Sequence, residues 1–433
     1  MNKAALKPGA NFYNVVYSLA GKGVSLIALM LLDILETRLL GQTLYGEWAY
    51  FFAILNICFF IGWAGINNSA KVIVSHCDTV DARTQCLNAS IILRLISAFV
   101  ISILVVIVLY VIAPELGYPD KYPHLKSLIF LSVGMIFFNA FAVYYKHLFV
   151  GLGNFKDVFI VTVLEYFLNL LFCWLFLKLF HNIEAVAYGY IVSGLILLII
   201  GLCLIKKDYR IFEAIDESII KKYTKKIIKY ALPMFVVGIG AAILIELDTF
   251  MLGILSTKSE VAVYSIAKNL TNKAGHVNVS IATGVMTSFV IINQNEKKAK
   301  IKKFNRYAMV NFTVALFIAV FIFVLAPILI PFLYGSEYVK AAEIFRVLTI
   351  FHMMNAVSNF YATFLDFRGK ANIRSITYVV VILLDIVLNY LLIPGMGAMG
   401  ATIATEVSML PYVFVTVFFS YKEIKKIEGD GIA

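Results

Sequence analysis

Glu165-Tyr166-Phe167-Leu168-Asn169 lies inside an apolar run over residues 157–180. It returns 220 positions later as Asp385-Ile386-Val387-Leu388-Asn389, inside another apolar run over residues 374–394. An acid and an amide at the same four-residue spacing, both embedded in hydrocarbon-like sequence, read as one element written twice. Further markers on either side support this. Leu40-Gly41 returns as Leu252-Gly253, Leu93-Arg94 is echoed by Asn305-Arg306, Ala113-Pro114 by Ala326-Pro327, and Gly153 by Gly369 in another short basic loop. The offset only grows along the chain, from 212 to 220. Ordered matches with a one-way drift point to an internal duplication, and in an apolar chain that means two related helical bundles.

Composition places both bundles in a membrane. Of 433 residues, 61% are apolar and 15% charged, against roughly 25% charged in an ordinary soluble domain. Twelve apolar runs long enough to cross a bilayer are read, near 11–32, 48–70, 87–113, 127–149, 157–180, 184–205, 232–253, 261–292, 305–333, 341–365, 374–394 and 399–421. The eighth and ninth exceed the bilayer thickness and are expected to tilt or to project from it. A membrane β-barrel would instead show alternating segments of about ten residues, so the fold class is all-α with six spans per repeat. Six is even, so the two repeats enter the membrane in the same direction and are parallel. The expected domains are an N-lobe over 1–205, a linker over 206–231 and a C-lobe over 232–433, arranged around a central cavity.

Lysine and arginine set the orientation. With the N-terminus inside, most of the 37 basic residues fall in inner segments, above all Lys206–Lys229 and Lys297–Lys303. The outer loops are short, and the one around Asp33 and Glu36 is acidic. This is the positive-inside pattern; it places both termini in the cytoplasm and accounts for the net charge of +11 without nucleic acid. The linker, with Glu213, Asp216 and Glu217 ahead of Lys221, Lys222, Lys225, Lys226 and Lys229, reads as an amphipathic helix on the inner leaflet. Pro233 falls near the start of span seven, where a proline is tolerated.

Several function classes drop out. No cleavable leader precedes the first full-length span. The five cysteines lie in spans or at inner ends and read as packing residues, not a disulfide set. Gly21-Lys22-Gly23 and Gly151-Leu152-Gly153 are not phosphate loops, so no ATP site is visible. External loops are too short to house a catalytic domain, and no metal site is read.

The segment Arg38-Leu39-Leu40-Gly41-Gln42-Thr43-Leu44-Tyr45-Gly46 resembles the signature of polysaccharide repeat-unit flippases of the Wzx type. So do Lys229-Tyr230-Ala231-Leu232-Pro233, Asp248-Thr249-Phe250-Met251-Leu252-Gly253, Val263-Tyr264-Ser265-Ile266-Ala267-Lys268 and Phe332-Leu333-Tyr334-Gly335. Asn389-Tyr390-Leu391-Leu392-Ile393-Pro394 with Gly397-Ala398-Met399-Gly400-Ala401 completes the set, which runs from about residue 11 to 420. The resemblance implies the fold of the multidrug/oligosaccharidyl-lipid/polysaccharide (MOP) exporter superfamily and alternating access by rocking lobes. It implies a lipid-linked O-antigen or capsule oligosaccharide as cargo, and polymerase or export machinery of the same pathway as partners. Lipid II flippases of the superfamily usually carry fourteen spans, two more than are read here. Multidrug antiporters usually place an acidic residue in the first helix, whose middle here carries Lys22.

Charges within the spans supply the candidate sites, since each costs roughly 2.5–3.5 kcal/mol at the centre of a span and requires a partner, water or a function. Arg94 and Glu165 share a depth in the N-lobe and are expected to form a structural ion pair. Glu246 and Asp248, level with Lys268, either neutralise it or bind a coupling ion, H+ or Na+. Lys22 and Lys273 fall mid-span; they either snorkel or make the cavity cationic for a diphosphate or acidic sugar. Asn269, Lys273, His276 and Ser280 form one polar stripe on span eight. Arg346 and His352 on span ten extend the candidate cavity, while Asp385, Asn389 and Glu406 are read as holding the C-lobe together. The expectation is a non-enzymatic flippase for a polyprenyl-diphosphate-linked oligosaccharide in the cytoplasmic membrane. The alternatives are a drug or metabolite antiporter of the same superfamily and a flippase of another envelope glycan.

Overall fold

The computed structural model describes residues 10–213, 216–286 and 297–429, and these are helical apart from short turns. Span eight as read from the sequence runs past the described residues at its inner end. The chain forms two compact units, Met1–Glu246 and Leu247–Ala433.

The first unit begins with α1 (Ala10–Ser75), 66 residues interrupted at Gly41, whose φ of 71° only glycine adopts without strain. Spans one and two are therefore two legs of one broken helix. This corrects the expected acidic outer loop: Asp33 and Glu36 lie on the helical first leg, and Glu36 is buried, accepting the indole N–H of Trp48 at 3.1 Å. After α1 come α2 (Val80–Val111), α3 (Leu125–Gly151), α4 (Phe155–Phe180) and α5 (Glu184–Asp208). The Thr79 side chain caps α2 through the Ala82 N–H, and the Asn154 side chain caps α4 through the Asp157 N–H, both at 3.2 Å.

Helix α3 is central to this unit. Phe141, Tyr144, Tyr145, Leu148 and Phe149 pack against Ile73 and Val74 of α1, Leu87 and Ile91 of α2 and Ile205 of α5. Gly201 makes the α3–α5 approach possible, because a Cβ there would meet the Tyr145 ring at 2.1 Å. The same core takes in part of the linker. Ile211 and Ile227 are buried in it, and the Asn88 side chain accepts the Phe212 N–H at 3.1 Å. Helix α6 (Glu217–Leu255) then runs without a break from the linker into span seven, and the boundary between the units falls within it, between residues 246 and 247.

The second unit holds the end of α6, then α7 (Lys258–Met286), α8 (Lys297–Tyr334), a 3-10 turn over Ser336–Tyr338, α9 (Val339–Val347), α10 (Thr349–Phe367), α11 (Ala371–Met396) and α12 (Ala398–Gly429). Helices α9 and α10 together make span ten. Among the described residues, eight helices are long and apolar enough to cross a membrane on length and composition alone. Helix α7, which carries the polar stripe, is not one of them. At 38 residues, α8 is about 57 Å long, so it outreaches a hydrocarbon layer of about 30 Å.

The duplication is visible in backbone geometry. Gly153 after α3 and Gly369 after α10 both have a φ of 74°. In each loop the glycine N–H bonds three residues back at 3.0 Å, and the next N–H bonds five back at 2.9 Å: Gly153 to Val150 and Asn154 to Phe149, Gly369 to Asp366 and Lys370 to Leu365. The same helix-ending turn, dependent on a left-handed residue, thus closes α3 in the first repeat and α10 in the second.

Candidate functional site

In the second unit a cluster of buried polar side chains surrounds Asp248, near the end of α6. Tyr264 and Lys268 lie one turn apart on α7, Asp385 and Asn389 one turn apart on α11, and Thr405 and Ser408 on one face of α12. Asp248 Oδ1 accepts the Asn389 side-chain amide at 2.8 Å, and its Oδ2 accepts the Tyr264 hydroxyl at 2.7 Å and the Thr405 hydroxyl at 2.9 Å. Asp385 stands one turn from Asn389 on the same face of α11, and its Oδ1 accepts the Ser408 hydroxyl at 3.2 Å. The two acids are 4% and 6% exposed.

Two carboxyls buried in one cluster do not both stay bare in apolar surroundings, because each loses hydration while repelling the other. Neutral donors orient the oxygens without supplying a counter-charge. The arrangement can therefore take up one monovalent positive charge, either a proton between the acids or a hard cation among the Asp, Asn and Thr oxygens. Among the described residues, no group of three or more His, Cys, Asp or Glu side chains could hold a metal ion. Lys268 reaches the adjacent position, donating to Thr249 Oγ1 at 2.6 Å.

The other sequence-derived candidates have local settings of their own. Glu246, in the first unit, accepts the Asn56 side-chain amide at 3.0 Å. Lys22 is exposed on the first leg of α1. On α7, Asn269 and Lys273 are half-buried while His276 and Ser280 are exposed, so the polar stripe forms an open face. The Arg346 guanidinium lies 4.1 Å over the Phe323 ring. His352 is 1% exposed, enclosed within its unit, and its Nε2 has no hydrogen-bond partner among the described residues.

The expected Arg94–Glu165 pair is corrected. Glu165 Oε2 takes the ammonium of Lys146 on α3 at 2.7 Å. Arg94 is 0% exposed and donates to the Ala140 carbonyl at 3.2 Å. The physical reason is reach: Lys146 lies near the inner end of α3, and its long stem carries the charge along the helix to the depth of Glu165. Tyr264 and Thr405 were not singled out as site residues. Tyr264 stands in one of the motifs quoted above, but no local signal aims its hydroxyl at Asp248.

Residues 12–290 match the family model described as polysaccharide biosynthesis protein. The chain belongs to that family. A second model, MatE, matches residues 233–391. Among solved structures, an inward-facing multidrug resistance MATE family transporter of the MOP superfamily is similar with a TM-score of 0.72 at 14% identity, over 93% of this chain and 95% of that one. The lipid II flippase MurJ in an inward closed conformation is similar with a TM-score of 0.68 at 17% identity, over 95% and 90%. A MOP superfamily transporter from Pyrococcus furiosus, described as having a binding pocket of reverse polarity, is similar with a TM-score of 0.60 at 15% identity, over 97% and 96%. An uncharacterized membrane protein of Methanocaldococcus jannaschii, MJ1068, is 23% identical over 288 residues, 65% of this chain. The chain spans 56% of that relative's length. This member of the polysaccharide biosynthesis protein family is thus a multi-pass, all-helical membrane protein over its described residues, with a fold like that of the MATE and MurJ structures.

Proposed function

We propose that the protein is a flippase for a polyprenyl-diphosphate-linked oligosaccharide repeat unit of an O-antigen or capsule, acting in the cytoplasmic membrane with its basic loops inside. The observation that carries this reading is the family match over residues 12–290. Cargo of this class is a hydrophilic glycan on a lipid tail. The headgroup passes through the protein while the tail stays in lipid, which avoids the several kcal/mol per unpaired polar group that hydrocarbon imposes. Lys22 and the Lys273 stripe supply positive charge for the diphosphate or an acidic sugar, and the Asp248–Asp385 centre takes up H+ or Na+ to couple flipping to a gradient. No bond is made or broken.

The match of residues 233–391 to MatE favours a second reading, a drug or metabolite antiporter. Purified protein in vesicles separates the two. Flipping of a fluorescent polyprenyl-diphosphate sugar, with no efflux of a cationic dye, is the expected result, and the opposite pattern overturns the proposal.

A further inference from the structure

Helix α6 has two unlike sides before it becomes span seven. Tyr223 and Ile227 point into the first unit, the Tyr223 hydroxyl accepting the Cys77 thiol at 3.9 Å. Gly65 of α1 lies so close to Ala231 that a Cβ there would meet the Ala231 carbonyl oxygen at 2.5 Å. On the outward side, Lys221, Lys222, Lys225, Lys226 and Lys229 are all exposed. Lys221 approaches Glu217 at 3.6 Å on the surface. Ile228 and Leu232, at 49% and 67%, are exposed among and below the lysines.

The Gly65–Ala231 contact fixes the depth of this face. Gly65 lies five residues from the inner end of the apolar run 48–70, so it sits about 7–8 Å inside the hydrocarbon boundary at 1.5 Å per residue. Ascending α6 from Ala231 by the same rise brings Lys226 to that boundary and Lys221 about 7–8 Å beyond it. A headgroup layer is about 5–8 Å thick on each side. Lys221, Lys222 and Lys225 therefore stand in the headgroup layer and Lys226 at its edge, while Lys229, about 4–5 Å inside the boundary, reaches the headgroups by its long stem; Ile228 and Leu232 lie at acyl depth.

We propose that the outward face of α6, with Lys221, Lys225 and Lys229 as its spine, is a binding surface for anionic glycerophospholipid headgroups. Charge complementarity and depth both select a lipid, since a column at this level meets headgroups before any soluble partner. The surface is independent of the flippase reading, because it needs neither cargo nor coupling. A lysine at a membrane surface contributes about 1 kcal/mol toward anionic lipid, roughly a fivefold preference.

The test places the full chain in vesicles containing a trace of photo-activatable phosphatidylglycerol or, separately, photo-activatable phosphatidylcholine. Symmetric vesicles offer the same lipid to both leaflets, so orientation does not enter. Expected is at least about fivefold heavier labelling of residues 217–232 by the anionic probe, falling as salt is raised to 1 M. The Lys221→Gln, Lys225→Gln, Lys229→Gln variant should lose that preference, and the Lys→Arg triple should keep it. Phosphatidylcholine labelling of the apolar α8 surface reports correct insertion of each variant. Should the glutamine triple fail to insert, the salt titration of the wild type still decides. Equal labelling by the two probes, or a preference untouched by 1 M salt, overturns the assignment and leaves the face to an acidic protein partner.

Discussion

Asn389 and Asp248, 141 residues apart in sequence, meet at 2.8 Å through the amide of one and Oδ1 of the other. This bond ties α11 to the end of α6 and completes the set of neutral donors around a buried acid. Its partner acid, Asp385, stands one turn from Asn389. If the pair takes up the coupling cation, Asp248→Asn and Asp385→Asn should each preserve shape and hydrogen bonding while removing the charge. The expected outcome is normal insertion with transport reduced at least tenfold, the residual flux being indifferent to an imposed H+ or Na+ gradient. Gradient-driven flux surviving in both variants would exclude this centre from coupling.

Tyr264→Phe gives a graded version of the same experiment. It deletes one of three donors to Asp248, with the ring left in place. A net loss of about 1 kcal/mol is expected for one such bond, seen as a modest drop in thermal stability and a shift in the cation concentration or pH giving half-maximal transport. Thr405→Val should act in the same direction, since its hydroxyl donates to the same oxygen.

In the first unit the Lys146–Glu165 contact defines a double-mutant cycle. The side chains are 23% and 10% exposed, so the pair is only partly screened. Removing Lys146 alone strands a carboxylate and should destabilise by about 2 kcal/mol, below the roughly 3–5 kcal/mol of a fully buried pair because the contact is partly screened. Removing both should cost less than the sum of the single changes. Additive losses in thermal melts would mean that the contact contributes nothing.

Some of this was legible in the sequence and some was not, for separable reasons. The paired loops were legible because a left-handed backbone demands glycine, and Gly153 and Gly369 are that demand written into the chain. The apolar runs were legible because spanning length is set by the bilayer. The sharp turn at Gly41 was not: Asp33 and Glu36 look like loop residues until Trp48 is seen to satisfy Glu36. The Arg94–Glu165 expectation rested on counting residues from span ends, which ignores the reach of a lysine stem. The acid centre depends on which faces of α6, α7, α11 and α12 meet, and hydropathy carries no such information. Asp385 and Asn389 stood out in the sequence, but their partners did not.

The start of α6 offers a pH test outside the membrane. Asp216 Oδ1 accepts the Ser218 hydroxyl at 2.7 Å and the N–H groups of Ser218 and Ile219 at 2.9 and 3.3 Å. The Ser218 hydroxyl above all, and the Ile219 and Ser218 amides with it, hold the carboxyl below its usual range. A folded value below the unfolded one means the contribution is present above about pH 4 and disappears as pH falls through the folded value. Amide exchange at residues 217–221, corrected for intrinsic rates, should accelerate over that acid window. Asp216→Asn should abolish the pH dependence while keeping part of the cap. An unchanged acid profile in Asp216→Asn would show that another group governs the helix start.

Lys22 and Lys273 carry the sharpest test of the substrate reading. Lys22 is exposed on the first leg of α1, and Lys273 is half-buried on the polar stripe of α7. A lysine kept for cargo differs from one kept for folding in how function and protein level respond. Lys22→Ala should insert normally, because removing a charge from a span lowers the insertion cost, yet export should collapse. Lys22→Arg should retain part of the activity, since the charge persists while the guanidinium fork replaces a point-like ammonium. Lys22→Asp should fall below alanine, because repulsion of an anionic headgroup is added to the lost attraction. If the lysines serve only packing, activity per folded molecule should instead be the same for alanine and aspartate. Complementation of a flippase-null strain, scored beside membrane protein level, distinguishes the two orders. Full export by a normally expressed Lys22→Ala, Lys273→Ala double variant would remove both lysines from the substrate path and, with them, the anionic-headgroup mechanism.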